Sequence, residues 1–228
     1  MTRTAICLRY ITLVLVVVAG LLAAPAAEAR APVALPGTAT VSAWTTDDVV
    51  TVFLSVVSDL GLFDQVRFAV DDQAYGDWQA LTPTAVVQLP PHDGAHVIHI
   101  DLANSLLDPG EPGSTDAPIQ LDLSTILDTV GPVTTAPDAL VAARGTPLMV
   151  HVGVRDDLSP RARVNLEVRD RHGSAVTTVS LGACRTGATV ARTVALRLPR
   201  GHYTYRVLAT DLAGNAQRRA GTNTLVVK

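Results

Sequence analysis

Leu198-Pro199-Arg200-Gly201-His202-Tyr203-Thr204-Tyr205-Arg206-Val207-Leu208-Ala209-Thr210-Asp211-Leu212-Ala213-Gly214-Asn215 reads as one strand held between two turns. Successive side chains of a strand point to opposite sides. Tyr203, Tyr205, Val207 and Ala209 therefore share one face, and Thr204, Arg206, Leu208 and Thr210 share the other. The first set is the expected core face. Pro199 stops the preceding run, and Gly214-Asn215 suits the left-handed backbone of a tight turn.

The same grammar extends in both directions. Short alternating runs are separated by Gly, Pro, Asn and Asp, which predicts strands over 148–154, 163–168, 176–181, 190–198 and 222–227. In the first half the corresponding runs are 49–57, 66–70, 85–89, 96–100 and 119–123. Beyond the N-terminal apolar run, no stretch sustains a helical period. Placing Val50–Asp72 on Leu148–Asp170 without gaps, at an offset of 98, gives seven identities in 23 positions, among them Val66 with Val164 and Val70 with Val168. A period near 100 residues is a duplicated domain; solenoid repeats run about 20–50 residues. The expected fold is therefore all-β, two tandem antiparallel sandwiches at 38–130 and 138–228. Gly131-Pro132-Val133-Thr134-Thr135-Ala136-Pro137 is expected as a semi-rigid linker.

The run from Leu198 to Asn215 resembles the turn and sixth strand of fibronectin type III and bacterial Ig-like domains. The resemblance covers nearly all of 38–228. It implies that Tyr203 is a corner tyrosine whose hydroxyl bonds a backbone group nearby. Asp211-Leu212-Ala213-Gly214-Asn215 is similar to the D-x-A-G-N turn of those repeats, whereas Asp101-Leu102-Ala103-Asn104 lacks its glycine. Such modules are common in secreted and envelope proteins of actinobacteria and other bacteria, as spacers or accessory domains.

Residues 1–29 carry the marks of an export signal: Arg3 and Arg9, an apolar run from Tyr10 to Ala24, and Ala27-Glu28-Ala29 as the cleavage pattern. That run is short of the roughly 20 residues a spanning helix needs. Residues 30–37 would lead into the first module, and Leu35-Pro36-Gly37-Thr38 at the end of that lead matches four letters of a sortase signal by chance. With 48% apolar residues the chain can bury a core. Its formal charge of −3 averages unlike halves. Residues 30–136 hold 14 acidic and 2 basic residues, a net of −12, and 137–228 hold 6 and 14, a net of +8. Few aromatic residues accompany the arginines, so nucleic-acid binding is not expected.

The candidate sites are weak as sequence. His92, His96 and His99, with Asp93 and Asp101, have metal-like composition, but a strand turns His96 and His99 to opposite faces. Surface and edge histidines are the expectation. Asp108, Glu111 and Asp116 read as a solvated loop without a calcium-loop pattern. Asp59 and Asp157, with Asp156 beside the second, read as turn caps with no carboxylate of another strand beside them. Cys184 is left alone once Cys7 departs with the signal and is expected to be packed, although an exposed thiol would permit a covalent dimer. No nucleophile elbow, metalloprotease helix or phosphate loop occurs. No catalytic, cofactor or metal residue is assigned. The expected function is non-catalytic binding, adhesion or spacing outside the cell or on its envelope. The expected partner is an envelope polymer or another protein, met through the acidic or the basic module, with self-association a further route. The alternative is an accessory carbohydrate- or wall-polymer-binding module of a secreted enzyme system, with Trp44 and Trp78 as stacking platforms.

Overall fold

The computed structural model describes residues 39–54, 63–108, 110–111 and 113–228. The expected signal peptide at 1–29, the segment 30–37 and the turn holding Asp59 lie outside them. All regular structure among the described residues is β-strand, and none of it is a helix able to cross a membrane.

Each half of the chain builds the same pair of sheets. In the first half a five-stranded sheet runs in the order β1 (Trp44–Thr45), β7 (Ile119–Leu127), β6 (Gly94–Ala103), β3 (Gln65–Val70) and β4 (Gln79–Ala80). A second sheet pairs β2 (Val49–Phe53) with β5 (Thr84–Gln88). In the second half, β9 (Ala139–Ala142), β15 (Asn223–Val227), β14 (Gly201–Thr210), β11 (Arg161–Arg169) and β12 (Ala175–Arg185) repeat the five-stranded order. They face a sheet of β8 (Val133–Thr135), β10 (Leu148–Arg155) and β13 (Ala188–Val194).

The leading strand changes sheets in both halves. Thr40 bridges Phe53 antiparallel before β1 runs parallel to β7. Likewise β8 pairs antiparallel with β10 before β9 runs parallel to β15. Every other ladder is antiparallel. This is an all-β architecture of Ig-like sandwiches.

Two separate cores fill the sandwiches. One gathers Val52, Val66, Ile98, Ile100 and Leu102; the other gathers Val150, Val164, Leu166, Val168 and Tyr205. Burial alternates along β10 and β11 as a half-buried strand requires. On β14, Tyr205, Val207 and Ala209 are buried on the face read as core, with Tyr203 packed at its edge. Tyr203 Oη donates to the Pro199 carbonyl at 3.0 Å, the corner bond that the resemblance implies. Tyr205 Oη donates to the Pro137 carbonyl, which ties the start of the module to its core.

Four strands escaped the sequence reading: β1, β4, β8 and β9. They are two to four residues long and cannot show alternation. One of them alters the expected linker. Val133–Thr135 form β8, and Thr134 Oγ1 donates to the Val207 carbonyl at 2.9 Å. The free span between the last strand of one half and the first of the next is therefore shorter than 131–137.

Candidate functional site

Three strand ends converge where the halves meet. Asp128 follows β7, Asp156 follows β10, and Asp211 follows β14. One carboxylate oxygen from each lies within 4.8 Å of the others. Asp128 is 1% exposed and Asp211 8%, while Asp156 is half-buried. Charges are seldom buried unpaired, because desolvation costs several kcal/mol per ion. Among the described residues, no lysine or arginine forms an ion pair with any of the three.

Hydrogen bonds hold the carboxylates in place without neutralising them. Asp211 Oδ1 accepts from the Gly214 and Asn215 amides at 2.7 and 2.8 Å, and Oδ2 accepts from Asn215 Nδ2 at 2.9 Å. Asn215 Nδ2 also donates to the Asp128 carbonyl at 2.7 Å, across the junction. Ser159 Oγ donates to Asp128 Oδ2 at 3.1 Å and accepts from the Leu212 amide at 3.3 Å. Asp156 Oδ1 accepts from the Leu158 and Ser159 amides. Its Oδ2 is shut off from solvent and has no hydrogen-bond donor. Gly131 completes the seam: a Cβ there would sit 2.6 Å from the Ala216 carbonyl oxygen.

These contacts change three sequence expectations. Asp156, not Asp157, caps the turn; Asp157 is exposed, with only Arg155 at 3.8 Å. Two carboxylates from other strands do stand beside it. Asn215 does not adopt the left-handed backbone; Gly214 does so alone, with φ 104°, while the Asn215 side chain spans the junction. Asp128 and Asp211 went unseen as site residues. The available signal was that each ends an apolar strand, as Asp156 does, but their meeting depends on how two modules dock.

Burial pushes the Asp128 carboxyl above the ordinary range. The Val130 amide and the Ser159 hydroxyl pull it back, and Asp156 and Asp211 push it up again. The folded value thus lies above the unfolded one. The stability this group contributes is full below the unfolded value and is lost as pH rises through the folded value. Metal-free protein is therefore expected to lose stability at this site as pH climbs from about 4. Asp128→Asn should flatten that part of the profile, as measured by thermal unfolding in chelator across a pH series.

The histidines separate. His99 Nδ1 lies 2.7 Å from Asp122, on the outer face. His96 is fully buried, contrary to the expectation of a surface histidine. Its Nδ1 lies 2.8 Å from Asp71 Oδ2, and its Nε2 lies 3.0 Å from the His92 carbonyl oxygen. The ladders explain the burial. Val70 faces Ile98 as Val168 faces Tyr205, so His96 occupies in β6 the place of Tyr203 in β14. Both side chains bond the carbonyl four residues back. Asp93 instead accepts from the Thr129 amide and hydroxyl.

Asp101 serves packing rather than metal. It is fully buried and accepts from Arg67 Nε and Nη2 at 2.9 and 2.8 Å, and from Gln120 at 3.2 Å. The guanidinium stacks 4.7 Å from the Tyr75 ring centre and 4.4 Å from that of Trp78. Burial and the Asp101 carboxylate push the Tyr75 hydroxyl up to about 12. Arg67 thus takes a face of Trp78 that a sugar ring would need, and Trp44 is half-buried on β1. Asp108, Glu111 and Asp116 are exposed and do not gather within ligand reach of one another. Cys184 is fully buried.

No family model matches the chain, and no curated protein matches it in sequence. Among solved structures it is similar to murine CRIg, with 19% identity and a TM-score of 0.26 over 42% of this chain and 98% of that one. It is also similar to the calcium binding domain CBD12 of CALX1.1, with 9% identity and a TM-score of 0.28 over 85% and 94% of the two chains. The fold assignment rests on the strand order and ladders above.

Proposed function

We propose that the chain is a non-catalytic, secreted or envelope-associated protein whose two Ig-like modules are braced by a divalent cation at their junction. The observation that carries this reading is the meeting of Asp128, Asp156 and Asp211, none of which pairs with a lysine or arginine among the described residues. The donors are all oxygen, the set that calcium and magnesium prefer; calcium takes six to eight oxygens in flexible geometry. Two of the three carboxylates are buried and the third is half-buried, which suits an ion better than a substrate. A bound ion would offset the repulsion among them and join the end of one module to two turns of the next. Spacers and binding modules need such stiffness to hold a surface at a set distance.

The second module offers a surface for an anionic partner. Arg161 stands directly opposite Arg185 on the β11–β12 ladder, with Arg163 two residues along, and all three are exposed. Like charges placed opposite destabilise a sheet, so an anionic wall polymer would relieve them. Physiological salt screens charge beyond about 8 Å, so this attraction works only at contact.

Isothermal titration of the mature chain with calcium chloride tests the brace. One equivalent is expected to bind, and Asp156→Asn is expected to remove the heat. Equal heats for both proteins would refute a junction site. The arginine surface is tested separately by retention on anionic wall polymer, which should fall steeply with added salt in the parent and weakly in an Arg161→Ala, Arg185→Ala double variant.

A further inference from the structure

We propose that Asp71, His92 and His96 form a second cation site in the first module, one that takes a transition metal such as zinc. His96 Nε2 points at the His92 carbonyl oxygen at 3.0 Å, an acceptor only, so Nε2 carries a hydrogen. Its Nδ1 then presents a lone pair toward Asp71 Oδ2 at 2.8 Å. A nitrogen lone pair and a carboxylate oxygen do not approach to that distance without a proton or a metal ion between them.

A metal ion can take the place of that proton. The two atoms flanking the gap are an imidazole nitrogen and a carboxylate oxygen, and the ring of His92 supplies a third donor. One ligand atom from each of the three residues lies within 4.8 Å of the other two. The His92 and His96 ring centres are 4.6 Å apart, tilted by 38°. His92 is exposed, while His96 is fixed in the core. Two nitrogens and one oxygen suit zinc, nickel or copper rather than calcium.

The supporting bonds are those a metal site uses. A ligating histidine commonly donates its other N–H to a backbone carbonyl, which fixes the tautomer. His96 does this to His92, the residue that brings the third ligand. Asp71 Oδ1 accepts from the Val97 amide at 2.9 Å, which leaves Oδ2 to face the ring. Three ligands leave a tetrahedral ion one open position, for water or for a group from a partner.

The test uses the untagged mature chain, titrated with zinc chloride by calorimetry and with cobalt(II) by visible absorption. One equivalent is expected, with the absorption of tetrahedral cobalt. His92→Ala, which alters only an exposed side chain, should weaken zinc binding at least about 10-fold, and Asp71→Asn should do the same. Affinity should fall as the pH is lowered, because metal ligands must be deprotonated. Asp156→Asn, at the junction, should leave zinc binding unchanged. Zinc uptake that is identical in the parent and in His92→Ala, or absent from both, would overturn the proposal and leave the His96–Asp71 hydrogen bond only.

Discussion

Asp101→Ala is expected to cost the first module about 3 kcal/mol. Asp101 is fully buried on the outer face of β6, beneath Arg67, Tyr75, Trp78 and Gln120. Removing it strands a guanidinium that has two hydrogen bonds to its carboxylate, and empties the acceptor for Gln120. Breaking a buried pair by deleting one partner costs about 3–5 kcal/mol, and the partial exposure of Arg67 places this one at the low end. An Arg67→Met, Asp101→Leu double variant should recover most of the loss, because the penalty belongs to the unpaired charge and not to the missing contact. Urea unfolding followed by tryptophan fluorescence reads the change, since Trp78 lies on the guanidinium.

Calcium is expected to raise the melting temperature by roughly 5–10 °C at 100 times its Kd. Binding of that strength adds about 2.7 kcal/mol to the native state, and a chain of this length shifts about 2–4 °C per kcal/mol. Asp156→Asn should have opposite effects in the two conditions. In chelator it should stabilise the protein, because it removes one of three converging carboxylates while Oδ1 keeps its bonds to the Leu158 and Ser159 amides. In calcium it should abolish the gain. A loss of stability in both conditions would mark Asp156 as an ordinary turn cap. Differential scanning calorimetry of the parent and the variant, each with calcium and with chelator, separates the two.

Much of the fold was legible because alternation is a local property. The core face of β14 follows from the order Tyr203, Tyr205, Val207, Ala209, and the likeness of the β3 and β11 ladders from matched valines that lie buried in both. The short edge strands were not legible. Val133–Thr135 looks like a linker between prolines until β10 is beside it to accept a ladder. The site was less legible still. Asp128, Asp156 and Asp211 span 84 positions of sequence, and each alone is a polar residue at a strand end. Histidine on a strand carries no sign of burial, so from sequence His96 reads as a surface residue. Its role appears only when the register places it where the second module has its corner tyrosine.

The brace claims that the ion joins two modules, not merely that the protein binds one. Residual dipolar couplings measured separately for 39–127 and 133–228, in calcium and in chelator, test that most directly. With calcium, both modules should report one common alignment tensor. In chelator, or in Asp156→Asn with calcium, the tensors should diverge as the seam loosens. Tensors that are the same in calcium and in chelator would contradict the account.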